Sequence, residues 1–207
     1  MSLDVKICGL KTADALAAAL AGGASHVGFI FFAKSPRNID PAEAGRLREM
    51  ARARSVKAVA VTVDSGDAYL DAIVAAMSPD MLQLHGRESP EWVAEVKARY
   101  GLPVMKALSV REAADLDAAK AYRGVADRLL FDAKPPVGSE LPGGNGVAFD
   151  WRLLAGLEAG SDYMLSGGLN AGNIGDALRL ANPPGIDISS GVESAPGVKD
   201  VALIEAF

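Results

Sequence analysis

The chain has 207 residues, half of them hydrophobic, and a formal net charge of −5 with acids and bases interspersed. That length and apolar fraction suit one large domain with its own core. The acidic balance speaks against a general nucleic-acid binder, the alanine-rich residues 15–21 are too short an apolar patch to cross a membrane, and the lone cysteine, Cys8, excludes an internal disulfide. Residues 1–4 lead straight into an apolar run with no basic segment or apolar signal core, so the expected location is the cytoplasm.

Short apolar, β-branched runs recur along the chain, each followed by a turn and an amphipathic, alanine-rich stretch. The predicted strands are residues 5–8, 26–31, 57–63, 81–85, 103–106, 128–131, 163–165 and 186–189. The predicted helices are 12–21, 41–53, 68–77, 90–99, 111–121, 151–157, 171–180 and 198–207. Asp40-Pro41 and Ser89-Pro90 pair a cap with a first-turn proline, and Asp150 caps the segment opening at Trp151. Eight strand–helix units make a parallel sheet wound with helices. The first turn, Cys8-Gly9-Leu10-Lys11, lacks the glycine spacing of a dinucleotide-binding open sheet. The unit count favours a closed (β/α)8 barrel, compact beside the usual length of about 250 residues. No linker divides the chain, so residues 1–207 are expected to form a single barrel domain. Function in such a barrel sits at the C-terminal strand ends.

The first strand ends in Cys8, with Lys6 on the same face. A cation two residues away can favour thiolate, or Cys8 can be a small buried hydrophobe and Lys6 a surface charge. After the second strand, Lys34, Ser35 and Arg37 form either an ordinary polar loop or an anion clamp. Gln83 and His85 share a face at the end of the fourth strand; His85 is a packing residue or a base. No spacing of His, Cys, Asp or Glu suggests a metal site. Lys106 ends the fifth predicted strand and Asp132 follows the sixth, as a salt-bridge partner or a general acid. Residues 133–149 form the longest connection, with Gly143, Gly144 and Gly146 suited to anion contact or to a lid. Gly167-Gly168 and Ser190-Gly191 follow strands seven and eight, where this barrel frequently binds phosphate. The sum is a phosphate-binding barrel with a thiol, a carboxylate and an arginine at its mouth, suited to proton transfer on a phosphorylated small molecule.

Several of these motifs, in order, resemble the phosphoribosylanthranilate isomerase family of tryptophan biosynthesis. The carriers are Lys6-Ile7-Cys8-Gly9-Leu10, Gly28-Phe29-Ile30-Phe31 before Ser35-Pro36-Arg37, and Leu82-Gln83-Leu84-His85-Gly86. Phe131-Asp132, Gly143-Gly144-Asn145-Gly146 with Phe149-Asp150-Trp151, and Ser166-Gly167-Gly168-Leu169 follow. The last are the run from Gly185 through Ser189-Ser190-Gly191 to Glu193 and the segment Pro196-Gly197-Val198-Lys199-Asp200. The resemblance implies a cofactor-free Amadori rearrangement with Cys8 as general base and Asp132 as general acid. It implies Arg37 on the anthranilate carboxylate and Gly144, Gly168, Ser190 and Gly191 in the loops around the phosphate, with Gly143, Gly167 and Ser189 counted among the substrate-binding residues. Lys6, Gln83, His85 and Asp187 complete the expected site, with Lys6 proposed to stabilise a Cys8 thiolate and Asp187 given no role. The implied state is monomer or homodimer. Asn145 stands where the family commonly has threonine, Ser166 where it often has alanine, and Ala171 where it commonly has proline. These departures fall on the phosphate loops, not on the proton-transfer positions. Two other readings remain: a barrel acting on another phosphosugar, such as the histidine-pathway isomerase, or an inactive barrel with Cys8 as a redox-sensitive thiol. The former family has an aspartate at the end of its first strand, where this chain has Cys8.

Overall fold

A computed structural model describes residues 3–136, 138–139, 141–157 and 161–207. Eight strands close into a barrel in sequence order. They are β1 (Asp4–Cys8), β2 (His26–Phe31), β3 (Lys57–Thr62), β4 (Met81–Leu84), β5 (Val104–Val110), β6 (Arg128–Ala133), β7 (Tyr163–Leu165) and β8 (Gly185–Ile188). Every neighbouring pair is parallel, including β1 with β8. Outside them lie α1 (Ala13–Ala21), α2 (Pro41–Arg52), α3 (Asp67–Met77), α4 (Pro90–Tyr100), α5 (Ile174–Ala181) and α6 (Val201–Ala206).

The strand alternation sorts the side chains. Cys8, Val59, Val61, Met81, Met105, Ala107, Leu130 and Met164 pack inside the barrel. Their neighbours Ile7, Val27, Phe29, Ala60, Leu82, Phe131 and Leu165 face the helices in a larger core. Each fully buried large side chain contributes roughly 1.5–3 kcal/mol. The caps form as expected: Asp40 accepts from the Ala42 and Glu43 amides, Ser89 from Trp92, and Asp150 from Arg152.

Three expectations change. The segments predicted as helices at 111–121 and 151–157 are 3-10 runs, Ala113–Tyr122 and Trp151–Gly156. The first buries only Ala119, too little apolar surface to select an α-helical face. Strand β5 continues past Lys106 to Val110. Lys106 faces the helix layer, where its ammonium donates to Glu88 at 2.9 Å and to the Gly86 and Ala107 carbonyls. A paired lysine does not end a strand. The predicted last helix is shorter, because a hairpin of β9 (Glu193–Ala195) and β10 (Val198–Lys199) precedes α6.

The N-terminal end of the barrel is a charged floor. Arg128 bridges Asp4 at 2.7 Å and Asp162 at 2.8 Å. Beside it His26 is 2 % exposed, and burial pushes its imidazole down to about 4. The unfolded chain therefore binds this proton first as pH falls from about 6.5. Stability from keeping His26 neutral is full above that pH and is lost progressively toward pH 4, on the order of 2 kcal/mol. Denaturant titrations at pH 7 and pH 4.5 should show this loss, and His26→Gln should flatten it. An equal loss in both proteins would assign the acid sensitivity to other groups.

Candidate active site

The C-terminal strand ends surround a cavity open to solvent. Cys8, Arg37, His85, Asp132, Gly143, Gly144, Gly167, Gly168, Asp187, Ser189 and Ser190 line it. Lys6 and Gln83 lie one step deeper, buried in the barrel.

Cys8 closes β1 and is 4 % exposed. Lys6 lies below it with its ammonium 2.9 Å from Asp187 Oδ1, and Ser166 Oγ donates to Asp187 Oδ2 at 3.4 Å. Burial opposes the charge on Lys6, but Asp187 and Cys8 together hold its value above the ordinary one. Burial pushes the Cys8 thiol up; Lys6 pulls it back and Asp187 adds to the rise. The expected lowering by Lys6 is thus outweighed, because Lys6 shares its charge with Asp187 and the thiol is buried. Opposite shifts follow for two substitutions. Asp187→Asn removes an anion and releases Lys6, so the thiol value should fall. Lys6→Met should raise it. Thiolate absorbance against pH reads both, and equal titration in the two variants would remove Lys6 and Asp187 from control of the thiol.

Asp132 projects inward at the end of β6, two residues beyond Leu130. Its Oδ1 accepts from the Ala133 amide at 2.9 Å, and its Oδ2 lies 3.2 Å from His85 Nε2. His85 Nδ1 lies 2.8 Å from the Gln83 amide nitrogen. In that orientation Gln83 donates, so Nε2–H of His85 donates to an ionised Asp132. Among the described residues, the buried Gln83 oxygen has no partner. Turning the Gln83 amide lets this oxygen accept from Nδ1–H and leaves Nε2 to accept from a protonated Asp132. The pair accommodates both states of the acid. Glu88 holds the turn behind His85, accepting from the Asp64 and Gly86 amides at 3.0 and 2.9 Å.

The loop after β6 packs over this pair; residues 137 and 140 within it lie outside the described residues. A Cβ on Gly143 would sit 2.3 Å from Asp132 Oδ2 and 2.7 Å from His85 Nε2. Gly144, at φ +71°, abuts the Arg37 guanidinium, and Arg37 Nη2 donates to its carbonyl at 3.2 Å. Asn145 ties the loop to itself, donating to Leu141 O and bonding Ser139. Gly191 packs where a Cβ would meet the Leu169 carbonyl at 1.9 Å, joining the loops after β7 and β8. Ser189 Oγ donates to Cys8 O, and Ser190 Oγ lies against Gly146.

Glu193 and Lys199 were given no chemistry from the sequence. Lys199 donates to Glu193 Oε1 at 2.7 Å, and both side chains are 3 % exposed. Burial pushes Glu193 up, but Arg37 and Lys199 outweigh it and hold the carboxylate below its ordinary value. The available signal was a charge of each sign in an otherwise small and apolar segment, Gly191-Val192-Glu193 to Val198-Lys199. Among the described residues, no group of three or more His, Cys, Asp or Glu could hold a metal ion. No described helix is long and apolar enough to cross a membrane.

A closed parallel barrel whose C-terminal mouth carries a thiol, a carboxylate and a half-enclosing glycine-rich loop defines the class: a (β/α)8-barrel enzyme. Residues 5–207 match the model of a family described as N-(5'phosphoribosyl)anthranilate (PRA) isomerase. The chain belongs to the N-(5'-phosphoribosyl)anthranilate isomerase family. A protein of that name from Mesorhizobium japonicum is 80% identical over 207 residues, covering all of this chain and 94% of that one. The crystal structure of phosphoribosyl anthranilate isomerase from Thermotoga maritima superposes with a TM-score of 0.88 at 33% identity, covering 100% and 97% of the two chains. A phosphoribosyl anthranilate isomerase in complex with reduced 1-(o-carboxyphenylamino)-1-deoxyribulose 5-phosphate superposes at 0.85 and 31% identity, covering 100% and 96%.

Proposed function

We propose that this enzyme converts N-(5-phosphoribosyl)anthranilate to 1-(2-carboxyphenylamino)-1-deoxyribulose 5-phosphate, in tryptophan biosynthesis and in the cytoplasm. The carrying observation is that Cys8 and Asp132 line one cavity together with Arg37. Asp132, protonated, donates to the ribose ring oxygen as the C1–O bond breaks and a Schiff base forms. His85 Nε2, 3.2 Å from Asp132 Oδ2, orients the carboxyl by a hydrogen bond that either protonation state of the acid can make. Cys8, as thiolate, removes the proton from C2, and the resulting enolamine tautomerises to the ketone. Lys6 favours the thiolate electrostatically. Arg37 receives the anthranilate carboxylate, and the loops bearing Gly143, Gly144, Gly167, Gly168, Ser189, Ser190 and Gly191 receive the phosphate.

The test is loss of phosphoribosylanthranilate fluorescence on addition of enzyme, with a metal chelator present. Turnover supports the reading. No turnover by protein with a cooperative unfolding transition overturns it.

A further inference from the structure

Arg37 is held more tightly than a ligand-binding arginine on a loop needs to be. Glu193 grips it by two bonds, Nε to Oε1 at 2.8 Å and Nη2 to Oε2 at 2.8 Å. The same carboxylate accepts from Lys199 Nζ at 2.7 Å and from the Gly197 amide at 3.2 Å. The Arg37 stem lies against Gly9, whose Cβ would sit 2.8 Å from Arg37 Cδ. The hairpin carrying Glu193 and Lys199 packs on the loop carrying Arg37: a Cβ on Gly197 would meet the Pro36 carbonyl at 2.4 Å. The guanidinium is therefore held by Glu193 and the Gly144 carbonyl, and its stem is seated on Gly9.

Two cations share one carboxylate, so the cluster keeps a net positive charge facing the cavity. Glu193 occupies the Nε–Nη2 edge, and among the described residues no protein acceptor bonds Nη1. We propose that Glu193, braced by Lys199, is a positioning residue that presents the Nη1 side of Arg37 to the substrate's aromatic carboxylate and so sets the preference for a carboxylated ligand. An arginine already ordered before binding loses little side-chain freedom when the carboxylate arrives. Without the Glu193 fork it samples several rotamers, and only some of them meet the ligand. This rests on the role given to Arg37 above and extends it to a residue that touches no ligand.

Two ligands separate the possibilities: reduced 1-(2-carboxyphenylamino)-1-deoxyribulose 5-phosphate and the same compound lacking the carboxylate. Dissociation constants for both are measured on the unmodified enzyme, Glu193→Gln, Arg37→Ala and the double variant. Glu193→Gln should reduce the preference for the carboxylated compound by about tenfold, through that compound alone, since charged hydrogen bonds are of this size. KM should rise by a similar factor with kcat within about threefold. Arg37→Ala should abolish most of the preference, and the double variant should match it, because Glu193 acts through Arg37. Equal weakening of both compounds in Glu193→Gln, or an unchanged preference, overturns the proposal while leaving Arg37 in its role. A preference that survives Arg37→Ala overturns that role and the proposal together. If Glu193→Gln does not fold, Glu193→Asp keeps the charge but withdraws it. It should lose about threefold of the preference, and no loss there is equally fatal.

Discussion

Cys8→Ala should lower kcat by about 10³- to 10⁴-fold, and Asp132→Asn by a similar factor, with KM changed little. Both groups work on bonds that change only in the transition state, so their removal should leave ground-state binding in place. Asparagine keeps the shape of Asp132 and its contact distance to His85, 3.2 Å in the parent, but cannot give up a proton as an acid of useful strength. Alanine at Cys8 removes a side chain that is 4 % exposed and sits among Val61, Met105 and Leu130, so the fold should tolerate the loss. The raised thiol value adds a constraint: activity should climb with pH as the thiolate forms, and Lys6→Met should move that limb to higher pH. The kinetics of the two variants, with ligand binding measured alongside, decide the matter. A kcat near that of the parent in either would remove that residue from the mechanism.

Gly28→Ala should cost catalysis far more than stability. Gly28 sits on β2 beside Cys8 on β1, and its inner face is where the thiol lies. An added Cβ would come within 2.8 Å of Cys8 Sγ, 3.1 Å of Lys6 Nζ and 3.2 Å of Cys8 Cα. The two nearest atoms are side-chain ends that can turn away, so the folding penalty should stay at about 1–2 kcal/mol. Those ends are the proposed base and its cation. Displacing a reacting atom by about 1 Å costs on the order of 10²-fold in rate. Paired measurements of kcat and of the denaturation midpoint test this: a large loss of stability with unchanged kcat per folded molecule would show that the thiol's position is not critical.

Gly28 also shows where reading a sequence stops. On the chain it is one glycine in an apolar strand, and nothing marks it as the space for a thiol twenty residues earlier. Lys106 is a second case: a charge in a short apolar run reads as the end of a strand, yet Glu88 pairs with it in the helix layer and the strand continues. Glu193 is a third. Its two partners lie 156 residues before it and six after it, and no local periodicity links them. Cys8, Asp132 and the glycine loops were legible because the barrel places strand ends at one mouth whatever the side chains between them. Strand alternation then puts Lys6 with Cys8 and Leu130 with Asp132 on the inner face.

By itself the sequence determined the number of strand–helix units, their order, and the faces shared by Lys6 with Cys8, Gln83 with His85 and Leu130 with Asp132. These are properties of local periodicity and chain connectivity, carried by neighbours within a few residues. Tertiary structure alone decided the electrostatics: that Lys6 is shared with Asp187, that burial lifts the thiol, that Gly143 caps the His85–Asp132 pair, and that Arg37 arrives already gripped by Glu193. Charge and desolvation act through space over a few ångströms. They depend on which distant segments the closed barrel brings together.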